Sequence, residues 1–178
     1  MRIREVIEII NRMQVNGIIG SYAIGGAVGA TFYIEPAATM DLDVFIHFHV
    51  EPGSFITLTP IFEYLKAQGY VVQGEHIVIA DTPVQFLPPP SPLVEEALAD
   101  AVQRDIDGTP ARVFKAEFIA AIALELGRTK DKLRLSRFIE AEALDMAIFE
   151  TILARHKLSN KWHLFKQQFG SSEFFVGQ

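Results

Sequence analysis

The sequence predicts an α/β protein, and more narrowly an α+β one: a short mixed sheet with flanking helices, followed by a C-terminal helical part. Up to about residue 114, segments with helical and with strand periodicity alternate, a pattern typical of a helix-covered sheet. From Lys115 onward the pattern is helical only, with Leu144, Ile148 and Ile152 one turn apart. We therefore divide the 178 residues into an α/β domain at 1–114 and a helical part at 115–178.

The N-terminal elements follow from periodicity and from helix-breaking residues. Asn16-Gly17 ends the first amphipathic pattern, and Glu35-Pro36 ends the second, since the residue before a proline avoids the helical region. Alternation on the last segment places the two acidic residues Asp41 and Asp43 on one face. The predicted elements are a helix at 2–15, a strand at 18–24, a helix from the Gly25-Gly26 turn to about Ile34, and a strand at 41–49.

The middle of the chain predicts short strands enclosed by helices. A Pro-rich segment at 88–92 separates the strands from the helix that follows. The predicted elements are a helix at 55–67, strands at 71–72, 77–80 and 84–87, a helix at Leu93–Gln103, and a last strand at Arg112–Phe114.

Composition excludes several classes of function. The chain has no cysteine, which excludes thiolate zinc sites, thiol catalysis and disulfides, and leads us to expect a cytoplasmic location. No apolar stretch approaches the roughly 20 residues of a membrane span. The net charge of −6 argues against a broad nucleic-acid surface. This charge is divided unevenly, with −9 over residues 1–111 and +4 over residues 112–166.

A Gly-Gly turn followed by two spaced aspartates is the first candidate site. Asp41 and Asp43 lie about 6.6 Å apart at Cα on an extended strand, close enough to share one divalent cation or to bridge two. The Gly25-Gly26 turn opens a helix and offers backbone N–H groups to a phosphate. The alternative is a solvated Asp-x-Asp at the start of a strand beside an ordinary turn.

Two other interpretations of this region are weaker. A dinucleotide fingerprint lacks its first glycine, because Ile24 stands there, and its ribose-binding acid would end the second strand rather than begin it. His47 lies about 13 Å beyond Asp43 along the strand, too far to share one cation. We expect His47 and His49 to be ordinary exposed or edge-packed residues.

A basic block is the second candidate site. It begins with Arg128-Thr129-Lys130-Asp131 and extends through Arg134 and Arg137. Clustered guanidinium and ammonium groups can bind a polyphosphate. The alternative is a solvated helix face, on which these residues pair with acidic neighbours.

Five blocks taken in order resemble the AbiEii-type nucleotidyltransferase-like family, of the DNA polymerase β-like nucleotidyltransferase superfold. The resemblance covers roughly residues 18–140. The blocks are Tyr22-Ala23-Ile24-Gly25-Gly26, Thr39-Met40-Asp41-Leu42-Asp43-Val44-Phe45, Val84-Gln85-Phe86-Leu87-Pro88, Glu95-Glu96-Ala97-Leu98 and Arg128-Thr129-Lys130-Asp131.

This resemblance implies a site and a reaction. Gly25 and Gly26 would contact the triphosphate of a nucleoside triphosphate, and Asp41 and Asp43 would bind Mg²⁺ or Mn²⁺ as catalytic residues. Gln85, Arg128 and Lys130 would complete the nucleotide-binding set. The reaction would be metal-dependent transfer of a nucleoside monophosphate to a hydroxyl group of an RNA, a protein or a small molecule.

The sequence also departs from the family pattern. Active members of the superfold usually carry a third carboxylate on a neighbouring strand, where this chain has Gln85, a poor base and a weak metal ligand. Ala37 and Ala123 replace expected basic residues, and Glu35 or Asp81 could substitute for the missing acid. The second hypothesis is therefore a catalytically degenerate nucleotide- or partner-binding module, related to a toxin–antitoxin pair and acting with a protein partner or as a homo-oligomer.

Overall fold

The computed structural model describes residues 2–36, 41–48 and 57–169. Helices and strands alternate through its first part, and the last four elements are all helical. The helices are α1 (Ile3–Val15), α2 (Gly26–Ala30), α3 (Thr59–Ala67), α4 (Pro92–Ala99), α5 (Ala116–Leu126), α6 (Thr129–Glu140), α7 (Met146–Arg155) and α8 (Ser159–Phe169). The strands are β1 (Tyr22–Ile24), β2 (Leu42–Ile46), β3 (Val71–Gln73), β4 (His76–Ile79), β5 (Thr82–Leu87), β6 (Val102–Ile106) and β7 (Thr109–Val113).

The strands form one mixed sheet of seven strands in the order β3-β4-β5-β2-β1-β7-β6. Strand β2 runs parallel to β5 and antiparallel to β1, while β1 runs parallel to β7. The remaining neighbours are antiparallel hairpins. The predicted fold class, a mixed sheet with flanking helices and a C-terminal helical part, is confirmed. The proposed boundary near residue 114 stays a prediction.

Alternation along β2 divides the core between the two faces of the sheet. Val44 packs in a cluster with residues of α1 and α3, whereas Phe45 packs with residues of α4 to α8. Asp43 alternates with Val44 and therefore lies on the face that carries α5 and α6. This arrangement places the acidic segment opposite the basic helix.

One predicted element is wrong. The helix expected at Leu93–Gln103 ends at Ala99, and Val102–Ile106 forms β6. Asp107-Gly108 closes a two-residue hairpin between β6 and β7, with both residues at positive φ (50° and 82°). An Asp-Gly pair between two strand-like segments is a strong hairpin signal, and here it overrides the helical spacing of Leu98 and Val102.

Other boundaries differ by a few residues. Strand β1 begins at Tyr22 rather than at Ile18, although Gly20 N–H still donates to His47 O at 2.8 Å. Helix α2 ends at Ala30 and continues only as turns. Residues 49, 55 and 56, which belonged to a predicted strand and a predicted helix, lie outside the described residues. In the described part of the chain, no helix is long and apolar enough to cross a bilayer.

Candidate functional site

A cavity of about 880 Å³ lies between the sheet and helices α2, α4, α5 and α6. Its lining contains every predicted site residue except Gly25, so the acidic and the basic segments share one concave site. The predicted residues in the lining are Gly26, Asp41, Asp43, Gln85, Arg128 and Lys130. Cavities of this size are typical of small-molecule and cofactor sites.

The two glycines make different contributions. Gly25 N–H donates to Asp43 O at 3.1 Å, so this amide is engaged within the sheet. A Cβ on Gly25 would lie 2.6 Å from Phe45 Cε2 and 2.9 Å from Phe114 Cε2, and the two stacked rings therefore exclude any side chain there. Gly26 has a φ of 59°, and a Cβ on it would overlap the Asp43 carboxylate. Of the pair, Gly26 borders the cavity.

Strand pairing places Gln85 directly beside Asp43. The parallel ladder of β2 and β5 pairs Leu42 with Val84 and Asp43 with Gln85. Paired residues of a parallel ladder point to the same face, so the amide lies where the resemblance expects a third carboxylate. Of the two alternative acids, Asp81 accepts a hydrogen bond from Arg2 at 2.9 Å, and Glu35 borders the cavity.

The electrostatics of Asp43 connect the two candidate sites. Burial is the largest effect and raises the pKa of the Asp43 carboxyl above its usual value, and the nearby Asp41 carboxylate raises it further. Arg134, Lys130 and Arg128 act in the opposite direction and lower this pKa. The basic block of α6 therefore lies within electrostatic reach of the aspartate pair.

Asp131 organises the basic block from within the protein. Its side chain is fully buried (0% exposed) and accepts hydrogen bonds from Arg128 Nε at 2.5 Å and from Arg134 Nη1 at 3.4 Å. Arg128 is 55% exposed and Arg134 only 17% exposed. Burial lowers the pKa of Arg134, while Asp131 and Asp43 counteract this effect. A buried carboxylate thus fixes two guanidinium groups that line the cavity.

The structure also places residues here that the sequence reasoning missed. Glu75, in the β3–β4 turn, accepts a hydrogen bond from Gln85 Nε2 at 3.3 Å. The adjacent His76 has Nε2 at 3.7 Å from Asp41 Oδ2. His47 lies outside the cavity lining, and its Nδ1 is 2.9 Å from Ser21 Oγ. No local motif marks Glu75 or His76, since the register of the four strands β2 to β5 brings them to the site.

The donor set fits a divalent cation held by two carboxylates. Asp41 and Asp43 both border the cavity, and the Asp41 carboxylate adds to the effect of burial, which is the main cause of the raised pKa of Asp43. Among the described residues, no group of three His, Cys, Asp or Glu side chains could hold a metal ion. Two carboxylates nevertheless suffice for Mg²⁺, because substrate phosphates and waters normally supply the remaining ligands.

Comparison with known proteins identifies the fold. No protein-family model matches the chain, and no curated protein is significantly similar to it in sequence. An antigenic nucleotidyltransferase-like protein from Paracoccidioides brasiliensis is similar in structure, with a TM-score of 0.54 and 17% identity over 89% of this chain and 90% of the other. The solution structure of the antibiotic-resistance factor ANT(2'')-Ia aligns with a TM-score of 0.51 and 14% identity over 93% of this chain and 97% of the other. The chain therefore has the nucleotidyltransferase-like fold.

Proposed function

We propose that this protein is a metal-dependent nucleotidyltransferase that transfers a nucleoside monophosphate from a nucleoside triphosphate to a hydroxyl acceptor. One observation carries the proposal: a single cavity is lined by two aspartates on one side and by Arg128, Lys130 and Arg134 on the other. Opposed carboxylates and guanidinium groups suit a polyphosphate with its Mg²⁺ or Mn²⁺ ion. The fold neighbours support the proposal, since both are nucleotidyltransferases or proteins like them.

In this mechanism the chain's own residues bind and orient the triphosphate. Asp41 and Asp43 would hold the cation, which when bound neutralises the phosphate oxygens and the leaving group. Arg128 and Lys130 would pair with phosphate oxygens, and Asp131 keeps Arg128 in position. Gly26 also borders the cavity and carries no side chain that would narrow it.

The transfer itself is an in-line displacement at the α-phosphorus. The acceptor oxygen forms a bond to this phosphorus, and the bond from the phosphorus to the bridging oxygen of the β-phosphate breaks. Pyrophosphate leaves with the electron pair. The proton of the acceptor hydroxyl passes to water, because the Gln85 amide is not a base.

A second candidate is a nucleotide- or partner-binding module that has lost turnover. The specific observation in its favour is the pairing of Gln85 with Asp43, because this places an amide where active members of the superfold carry a carboxylate. We also propose that the protein belongs to the AbiEii-type family and is located in the cytoplasm. It would take part in a toxin–antitoxin pair and act with a protein partner or as a homo-oligomer.

One experiment separates the two candidates. The protein is incubated with each labelled nucleoside triphosphate, Mg²⁺ or Mn²⁺ and hydroxyl acceptors of the three classes (RNA, protein and small molecule), and pyrophosphate release is measured beside an Asp41→Asn/Asp43→Asn control. Release that the control abolishes supports the transferase. If no triphosphate releases pyrophosphate but a nucleotide still raises the unfolding temperature only with metal, the protein is a binding module.

A further inference from the structure

Glu75 and Gln85 form a contact at the edge of the cavity that the proposed mechanism does not use. The two-residue turn Gly74-Glu75 joins β3 to β4, and Gln73 pairs with His76 across it. From this turn, the Glu75 carboxylate accepts a hydrogen bond from Gln85 Nε2 at 3.3 Å. Gln85 borders the cavity, whereas Glu75 lies outside its lining.

The chemistry of the two side chains fixes the direction of the amide. A carboxylate only accepts hydrogen bonds, whereas a glutamine amide has a donating and an accepting end. Glu75 can therefore pair only with the NH₂ end of Gln85, and the opposite end, Oε1, is turned away from Glu75. Within the described part of the chain, Oε1 makes no hydrogen bond of its own.

The register sets the side of the sheet on which this oxygen lies. Gln85 pairs with Asp43 on the adjacent parallel strand, so the two side chains leave neighbouring backbone positions on the same face, and both border the cavity. Amide carbonyl oxygens are ordinary ligands of hard divalent cations, although weaker than carboxylates. An amide turned the other way would instead present its NH₂ hydrogens to the cation and repel it.

We propose that Glu75 is a positioning residue, which holds the Gln85 amide so that Oε1 serves as a third, neutral oxygen of the cation site beside Asp43. This inference rests on the proposed function, since it concerns the cation that Asp41 and Asp43 would hold. It assigns a role to the residue that replaces the usual third carboxylate, and it makes the β3–β4 turn part of the site.

The test measures Mn²⁺ binding by the full chain, without nucleotide, by electron paramagnetic resonance of the free ion. Glu75→Gln keeps the shape of the side chain but can donate as well as accept, so it no longer selects one direction of the amide. We expect Glu75→Gln to weaken Mn²⁺ binding about tenfold, the lower end of what loss of such a supporting residue costs. Its unfolding temperature without metal should equal that of the wild type, because Glu75 is exposed.

A double-mutant cycle with Gln85→Ala separates positioning from simple loss of charge. If Glu75 acts through Gln85, Glu75→Gln does not weaken Mn²⁺ binding any further in the Gln85→Ala background. An equal loss of affinity in both backgrounds would show that the Glu75 charge acts directly on the cation, and would overturn the proposal. Unchanged Mn²⁺ binding in the single Glu75→Gln variant would overturn it as well.

The Asp41→Asn/Asp43→Asn variant distinguishes failure of this inference from failure of the proposed function. If the wild type binds Mn²⁺, the aspartate variant does not, and Glu75→Gln binds as the wild type does, only the role of Glu75 is wrong. If the wild type and the aspartate variant bind Mn²⁺ equally, the metal site of the proposed function is wrong and the role of Glu75 is rejected with it. If neither binds Mn²⁺ without nucleotide, the role of Glu75 is rejected, whereas the proposed function, in which phosphates supply further ligands, is not.

Discussion

Gly26 lies so close to the Asp43 carboxylate that a Cβ at position 26 would come within 2.9 Å of Asp43 Cγ and closer still to its Oδ2. The turn at Gly26 and strand β2 are therefore closely packed against each other. A side chain on the turn would displace the carboxylate, and it would also have to adopt the φ of 59° that L-residues disfavour.

Gly26→Ala should therefore destabilise the fold by more than backbone strain alone would. We expect it to lower the free energy of unfolding by more than the roughly 1–2 kcal/mol that a left-handed residue costs, and to weaken Mn²⁺ binding by displacing Asp43. Urea denaturation measures the first effect. The matched control is Gly17→Ala, with a φ of 69° and no neighbour within 4 Å. Equal losses of unfolding free energy in the two variants would show that the Asp43 carboxylate moves aside at no energetic cost.

Asp43→Asn should stabilise the metal-free protein at neutral pH. The folded state raises the pKa of Asp43, chiefly by burial, so the ionised carboxylate costs stability above that raised pKa. The stability advantage of the variant should shrink as the pH falls through the raised pKa towards 3.8, the ordinary pKa of an aspartate, and disappear below it. Thermal unfolding of both proteins between about pH 3.5 and pH 7 tests the sign. An advantage that persists at the acidic end, or a less stable variant at pH 7, would contradict the prediction.

Asp131→Asn should destabilise both the fold and the triphosphate site. The change leaves Arg128 and the largely buried Arg134 without their common carboxylate. Removing one partner of a buried ion pair costs about 3 kcal/mol or more, and a displaced Arg128 should raise the KM for nucleoside triphosphate. Chemical denaturation and nucleotide titration measure the two effects.

The matched control for Asp131 is Asp100→Asn. Asp100 pairs with Lys115 at 2.6 Å, but both side chains are substantially exposed (52% and 38%). Its loss should cost less than about 1 kcal/mol and leave nucleotide binding unchanged. Similar losses at both positions would mean that the burial of Asp131 has no energetic consequence.

Local motifs predicted the parts of the site that lie close together in sequence. A few neighbouring residues determine the alternation around Asp43, the turn at Gly26 and the basic block. Glu75 and the pairing of Asp43 with Gln85 depend on the register of four strands, which no short pattern specifies. Strand β6 was missed for a different reason. The Asp107-Gly108 pair indicates a hairpin, whereas the spacing of Leu98 and Val102 indicates a helix, and the local sequence does not decide between these two signals.

Exchanging the residues at positions 75 and 85 should move the carboxylate to the position beside Asp43 and keep the hydrogen bond between the two side chains. In the Glu75→Gln/Gln85→Glu variant, the new amide at position 75 donates to the new carboxylate at position 85, which can bind a cation and accept a proton. A positioned general base typically contributes 10²–10⁴-fold, so pyrophosphate release should rise by about 100-fold over the wild type. The single variant Gln85→Glu should gain less, because its carboxylate stands against that of Glu75 and the two like charges repel each other. If the exchange leaves the rate unchanged while Mn²⁺ still binds, the hydroxyl proton is lost without help from position 85, and the amide found there does not lower the rate of the proposed reaction.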